Sequence, residues 1–295
     1  MNERTGNPAI PRRPYGPGAV PLSIIGFGGI LVDLPDDQQQ RANDLVAEAV
    51  ELGVNYFDVA PQYGEAERRL GPALEPFRDD CFLACKTLER TAEGASFQFE
   101  RSRERLRTDR FDLYQLHALT HMDKDIEPAF GPGGVVEFVD AMKEAGKVGH
   151  VGFSAHSVDA ALAAMDRYPF DSILFPVNFH TWHRGDFGPT VVEEARRRGM
   201  SVLALKALAR EPWTEDDPMR QRFPKTWYKP ITDRREAELA LKFTLSQPVT
   251  AAVPPASEEL WRLAVELAPK VEPITDAELA ELDRHADVET PIFTR

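Results

Sequence analysis

Asp58, Tyr63, Lys86 and His117 are the residues whose types and spacing could do chemistry together. Three of them close apolar runs: Val54-Asn55-Tyr56-Phe57 ends on Asp58, Cys81-Phe82-Leu83-Ala84-Cys85 on Lys86, and Phe111-Asp112-Leu113-Tyr114-Gln115-Leu116 on His117. Tyr63 follows Asp58 on the turn Pro61-Gln62-Tyr63-Gly64. Charged groups at the ends of buried strands are costly alone, so each needs a partner. A tyrosine hydroxyl is a weak acid, with an ordinary pKa of about 10. A neighbouring ammonium favours the phenolate and lowers that value, and an aspartate keeps the ammonium charged and in place. Tyr63 could then give a proton to a developing alkoxide, with His117 as a second donor on the same oxygen. Such a set suits reduction of a carbonyl by hydride from a bound nicotinamide. It holds no strong nucleophile and no cluster with metal-ligand spacing, so hydrolysis and metal binding are not expected.

Bringing these groups together requires strands that run side by side. Runs bounded by turn residues predict strands over 22–29, 54–58, 82–86, 111–117, 148–153, 173–177, 200–206 and 250–253. Helical spacing predicts helices over 37–52, 65–74, 96–106, 135–145, 157–165, 190–198, 233–245 and 257–267, and one more from Thr275. Asp233 with Glu236, and Thr275 with Glu278, are spaced as capping boxes. Strict strand–helix alternation gives a parallel sheet, and eight units predict a closed (β/α)8 barrel with one extra C-terminal helix. The competing open doubly wound sheet would need a G-x-G-x-x-G turn, which Gly26-Phe27-Gly28-Gly29 does not match. In a barrel the functional groups sit at the C-terminal strand ends, where Asp58, Lys86 and His117 fall. Two connections, 118–134 and 207–232, are longer than the usual ~2–6 residues and are expected to shape a substrate pocket. The second carries Trp213, Phe223, Trp227 and Tyr228.

Charge and composition narrow the partners. A formal net charge of −13 disfavours nucleic acid and anionic membrane surfaces. No apolar stretch approaches the ~20 residues of a membrane span. Residues 1–18 are polar and Pro/Gly-rich without an apolar segment, unlike a secretory signal, and are expected to be loosely held beside a single domain over 19–295. Cys81 and Cys85 share a strand face too far apart for a simple disulfide, which fits buried free thiols in a reducing cytoplasm. No interface stripe stands out, so a monomer or weak homo-oligomer is expected.

The stretch Asp58-Val59-Ala60-Pro61-Gln62-Tyr63-Gly64 resembles the D-T/V-A-x-x-Y-G signature of the aldo-keto reductases, NAD(P)H-dependent (β/α)8 barrel enzymes. Ala84-Cys85-Lys86-Thr87 is similar to that family's lysine strand. Arg105-Leu106-Arg107-Thr108-Asp109, followed by the run ending on His117, is similar to its histidine segment. Lys147-Val148-Gly149-His150-Val151-Gly152-Phe153-Ser154 is similar to the strand under the nicotinamide. The resemblance runs from about Ser23 to Leu282. It implies Tyr63 as the acid, Lys86 and Asp58 as its tuning pair, and His117 as the group that orients the carbonyl.

For the cofactor, NADPH with NADH as the alternative, the resemblance implies Gly28, Ser154, His156, Asn178, Phe179, Lys206, Ser257 and Arg262. Ser154 keeps the carboxamide-contact position, but Ala155 replaces the usual Asn, and His156 is the substitute. Pro176 stands where a Gln is usual, with Asn178 nearby, and Phe179 takes the place of the stacking aromatic. Leu205-Lys206-Ala207-Leu208 resembles the seventh-strand segment that touches the cofactor. Past the eighth strand, Val253-Pro254-Pro255-Ala256-Ser257 departs from Ile-Pro-Gly or Ile-Pro-Lys. Arg262 is the nearest basic residue for a 2′-phosphate, and Glu258 and Glu259 would repel one there. Two other readings fit parts of the pattern. One is a nucleotide-binding sensor with little turnover; the other is a barrel aldolase or lyase using Lys86 as a Schiff-base amine.

Overall fold

A computed structural model describes residues 10–285 and 290–295. Eight parallel strands, one after each chain reversal, line up in sequence order in one sheet. A hairpin precedes them, β1 (Arg12–Tyr15) paired antiparallel with β2 (Val20–Ser23). The barrel strands are β3 (Phe27–Gly28), β4 (Tyr56–Asp58), β5 (Phe82–Thr87), β6 (Phe111–Leu119), β7 (Val148–Ala155), β8 (Ser172–Pro176), β9 (Ser201–Leu205) and β12 (Ala251–Val253). Within the long connection after β9, β10 (Ala209–Pro212) and β11 (Tyr228–Pro230) form a small antiparallel ribbon. Closure comes from a parallel bridge between Ile25 and Ala252, where Gly26 N donates to Ala252 O and Ala252 N donates to Ile24 O. The predicted (β/α)8 barrel is therefore the fold.

Helices α1 (Gln39–Glu51), α2 (Ala66–Leu74), α3 (Ala92–Leu106), α4 (Glu127–Phe130), α5 (Val135–Glu144), α6 (Val158–Arg167), α7 (Phe179–His183), α8 (Pro189–Arg197), α9 (Arg234–Ser246), α10 (Glu258–Leu267) and α11 (Asp276–His285) occupy the connections and the C-terminal end. Their starts follow side-chain chemistry. Asp233 accepts from Glu236 N as the N-cap of α9, while the Glu236 carboxylate pairs with Arg210; Thr275 and Glu278 bond reciprocally at the head of α11, as a capping box requires. Thr91 accepts from Gly94 N, so α3 begins four residues before the expected 96. Asn178 caps α7 by accepting from Thr181 N, a short helix that apolar spacing does not reveal.

Strand alternation divides the apolar residues into two cores. A large one, including Phe57, Leu83, Phe99, Phe111, Phe153 and Trp261, lies between sheet and helices. A smaller one fills the barrel: Tyr15, Leu22, Tyr56, Phe82, Ala84, Leu113, Leu174, Leu203, Ala251 and Val253. Each inward position two residues further up a strand reaches the C-terminal mouth. Tyr56 is followed by Asp58, Ala84 by Lys86, and Leu113 by Gln115 and then His117.

Residues 10–18 depart from the loosely held segment expected; 1–9 lie outside the described residues. The hairpin closes the bottom of the barrel. Tyr15 has no exposed surface, its ring packs edge-on against Phe82 and His150, and its hydroxyl donates to Ser172 Oγ at 2.8 Å. The physical reason is that a small barrel interior must be plugged, and here the plug comes from outside the β/α repeats. Tyr15→Ala is expected to cost about 3–5 kcal/mol, as large aromatic truncations in cores do. Urea unfolding measures it, and a loss under ~1 kcal/mol would show that the hairpin does not complete the core.

Candidate active site

Lys86 sits at the end of β5 with no exposed surface. Its ammonium is paired with Asp58 Oδ1 and lies 3.3 Å from Val59 O and 3.4 Å from the Tyr63 hydroxyl. Asp58 is held in turn through its second oxygen, which accepts from Tyr56 Oη at 3.1 Å and from Gln115 Nε2 at 3.0 Å. The inward alternation of β4 and β6 puts both donors there, so both carboxylate oxygens are engaged in a buried site. Burial, the largest single influence, would push the Lys86 pKa down; the Asp58 charge and hydrogen bond together with Tyr63 outweigh it, and the net shift is up. Lys86 is thus a locked cation. That argues against the aldolase reading, which needs a neutral, nucleophilic amine.

Tyr63 is half-buried on the turn after β4, where Tyr63 N donates to Ala60 O and Ala66 N donates to Tyr63 O. Gly64 follows at φ 55°, packed so closely on Asp33 that a Cβ would fall 2.3 Å from its carboxylate. The expected lowering of the Tyr63 pKa is only half of what occurs. Burial raises it most and Lys86 pulls it back, leaving a net rise. The hydroxyl therefore stays protonated at neutral pH, as a proton donor must.

His117 faces Tyr63 edge-on, with ring centroids 5.9 Å apart. Its Nδ1 lies 3.2 Å from the Gln62 side-chain amide, whose orientation decides which ring nitrogen carries the hydrogen. Burial first, then Lys86 and other nearby cations, holds His117 well below its usual pKa and so neutral. The backbone beyond it is strained: Ala118 takes φ 57°. Arg90 holds this bend, donating to His117 O at 2.6 Å while paired at 2.9 Å with Asp125, which accepts from Thr120 N and His121 N. Sequence reading missed Gln62, Arg90 and Gln115. Only Gln115 carries a visible signal, two residues before His117 on the same strand face.

A cavity of about 220 Å³ opens on these groups. Asp58, Tyr63 and His117 line it, with Gly28, Ser154, His156 and Lys206 from the expected cofactor set. Ser154 Oγ accepts from Ala118 N at 2.7 Å. Lys206 is buried at φ 65°, its ammonium 3.4 Å from His156 Nε2 and over the rings of Trp227 and Phe293. Phe293 was not anticipated. The C-terminal tail brings it onto His156 (centroids 5.3 Å apart) and Phe187 (4.9 Å apart), and Arg295 N donates to Gly185 O. Lys225, from the 207–232 connection, also lines the cavity and donates to the carbonyls of Ile30, Leu31 and Asp33.

Three of the expected cofactor residues lie elsewhere. Asn178 spends its side-chain oxygen on capping α7, and Phe179 is buried against Phe243, His180 and His183, so neither lines the cavity. Arg262 is engaged by Glu48 at 2.8 Å and Glu258 at 3.3 Å on the surface. Ser257 precedes α10, next to Pro255 and Ala256, which do line the cavity, and makes no side-chain cap. The expected repulsion from Glu258 and Glu259 is offset: Arg41 pairs with the first at 2.5 Å and Arg222 with the second at 2.5 Å.

The family model described as "Aldo/keto reductase family" matches residues 25–287. An uncharacterized oxidoreductase of Bacillus subtilis, YqkF, is 24% identical over 93% of this chain and 96% of its own length. A putative aldo-keto reductase from Pseudomonas aeruginosa superimposes with a TM-score of 0.67 at 27% identity, covering 88% of this chain and 94% of its own. An aldo-keto reductase from Klebsiella pneumoniae in complex with NADPH shares the fold, with a TM-score of 0.70 at 18% identity over 95% of this chain and 97% of its own.

Burial keeps further histidines neutral: His156 is pushed down to about 3 and His180 to about 4. The unfolded chain protonates each at about pH 6.5. Their contribution to stability is full above that pH and is lost as pH falls through it. The urea midpoint is expected to drop steadily between about pH 6.5 and pH 4, and the His156→Gln, His180→Phe double variant to flatten that drop. An unchanged slope in the variant contradicts the assignment.

Proposed function

The chain belongs to the aldo/keto reductase family, and on that premise we propose that it reduces an aldehyde or ketone with hydride from NAD(P)H, Tyr63 giving the proton. The observation that carries the reading is the Tyr63 hydroxyl 3.4 Å from a fully buried Lys86 whose charge Asp58 maintains. As the carbonyl oxygen gathers negative charge, the Tyr63 proton moves to it. The tyrosinate left behind is stabilised by the ammonium beside it, which is already desolvated and needs no reorganisation. Neutral His117 has one N–H; it donates from Nε2 to the same oxygen when the Gln62 amide, whose oxygen is placed 3.2 Å from Nδ1, is turned so that its nitrogen faces Nδ1. The bound dinucleotide supplies the hydride.

The residues present fit the reacting end of such a cofactor. Gly28 keeps the cavity wall bare: a Cβ there would come 3.2 Å from Val253 Cγ1. Ser154, with its oxygen occupied by Ala118 N, has its hydroxyl hydrogen free to donate. The uncapped start of α10 offers first-turn N–H groups to phosphate. Arg41, Arg222 and Arg262 there are balanced by Glu48, Glu258 and Glu259, so a 2′-phosphate meets little net charge. NADPH is the cofactor we propose, with NADH accepted. The enclosed space of about 220 Å³ is below the ~300–1,000 Å³ of most ligand pockets.

Tyr63→Phe is expected to lower kcat/KM for a carbonyl such as benzaldehyde by about 100- to 10,000-fold, the range for loss of a positioned general acid. Steady-state NADPH oxidation measures it. Retention of full activity with the same carbonyl would remove Tyr63 from the chemistry.

A further inference from the structure

We infer that Tyr56 and Gln115 are positioning residues for the proton transfer: by donating to the far oxygen of Asp58, they set how strongly the Lys86 ammonium supports an ionised Tyr63. The inference rests on the reductase reading and adds to it two residues that do not touch the substrate. Neither Tyr56 nor Gln115 has exposed surface. Tyr56 Oη donates to Asp58 Oδ2 at 3.1 Å and Gln115 Nε2 donates to the same oxygen at 3.0 Å, while Oδ1 faces the Lys86 ammonium. That ammonium lies 3.4 Å from the Tyr63 hydroxyl.

Packing alone calls for neither donor. A phenylalanine at 56 would fill the same volume among Phe82, Ala84 and Leu113. The tyrosine ring is nevertheless held in one place. It packs edge-on against Phe82, with centroids 6.2 Å apart, and Gly26 leaves room for it, since a Cβ there would fall 2.6 Å from Tyr56 Cδ1. Gln115 is kept at a visible cost. Its Oε1 is buried and has no partner among the described residues, and a buried acceptor left unpaired is unfavourable. Turning the amide over would set that oxygen against the carboxylate instead.

The effect on Tyr63 follows from the charge on Asp58. A donor to a carboxylate favours its ionised form and weakens it as a base. Two donors therefore leave the shared proton on Lys86 and draw negative charge away from Tyr63. Burial opposes the tyrosinate most, Lys86 favours it, and the Asp58 charge opposes it. Losing a donor strengthens the opposition from Asp58 and weakens the support from Lys86, so both changes raise the Tyr63 pKa. The other titratable and charged groups packed around the site are Tyr15 below Tyr56, Cys85 on β5, His117 on β6, His156 after β7, and Arg90 and Lys206 beside His117. Burial keeps Tyr15 and Cys85 protonated and both histidines neutral, and none of these groups bonds to Asp58.

The test is the pH profile of kcat/KM for a reducible aldehyde such as benzaldehyde in wild type, Tyr56→Phe and Gln115→Met. In each variant the alkaline limb is expected to move up by about 0.5–1 pH unit, part of the roughly one to two units that a hydrogen bond to a charged group carries, with the plateau about 3- to 10-fold lower and the KM for NADPH unchanged. A limb that stays in place in a folded variant overturns the inference for that residue, even where urea unfolding shows lost stability, because the residue is then structural only. Should one variant fail to fold, the other carries the same expectation. If no aldehyde or ketone is reduced, the reductase reading fails by itself, and the Tyr63 hydroxyl is titrated directly by carbon NMR of the chain labelled at tyrosine Cζ. Its signal among the six tyrosines is the one absent from Tyr63→Phe. A titration displaced to higher pH in the variants supports the inference, and an unmoved one overturns it.

Discussion

Lys86 has no exposed surface, and its ammonium lies among the inward side chains of a parallel barrel. Removing a charge from water to such a place is affordable only with a counter-charge and full hydrogen bonding. Asp58 supplies the charge, and Tyr56 and Gln115 complete its bonding. These groups come from three adjacent strands, so the pair can exist only when β4, β5 and β6 are in register, as the pairings Asp58 with Ala84 and Lys86 with Gln115 show. Removing one member of a buried pair of this kind costs about 3–5 kcal/mol. The pair therefore ties the register of β4, β5 and β6 to the candidate site, and Tyr63 is placed against it.

The strand ends and the alternation of inward side chains were legible in the sequence because both follow from the two-residue period of a strand and from turn chemistry. That is why Asp58, Lys86 and His117 meet at one mouth. The caps at Asp233 and Thr275 were legible for the same local reason. The hairpin over Arg12–Ser23 was not. Its value lies in Tyr15 reaching Ser172 across the barrel, a contact that no nearby residue announces. Phe293 was hidden in the same way: its ring stacks on His156, more than a hundred residues away in sequence. Phe179 and Asn178 do not line the cavity because a five-residue helix, α7, turns their side chains toward α9 and the cap.

The two halves of the site differ in how firmly they are built. Around Lys86 the ammonium and the Asp58 carboxylate are held by groups from β4, β5 and β6 and from the turn after β4. Around Lys206 the walls are a long connection, a tail and a strained backbone position, and among the described residues no carboxylate pairs with it. Desolvation lowers the Lys206 pKa to about 7, so its charge depends on what binds beside it. The Lys86 half is thus built from strands, and the Lys206 half from a connection and the C-terminal tail.

The central claim is that Lys86 acts through Tyr63, stabilising its ionised form against the burial that opposes it. The direct measurement is the pH dependence of kcat/KM for carbonyl reduction in wild type and Lys86→Met. Activity carried by a tyrosine acid falls as pH rises through the Tyr63 pKa. Without the ammonium that pKa rises, so the alkaline limb is expected to move to higher pH while the plateau drops. An alkaline limb that stays in place, with only the plateau reduced, would mean that Lys86 does not tune Tyr63, and the account of the site would be wrong.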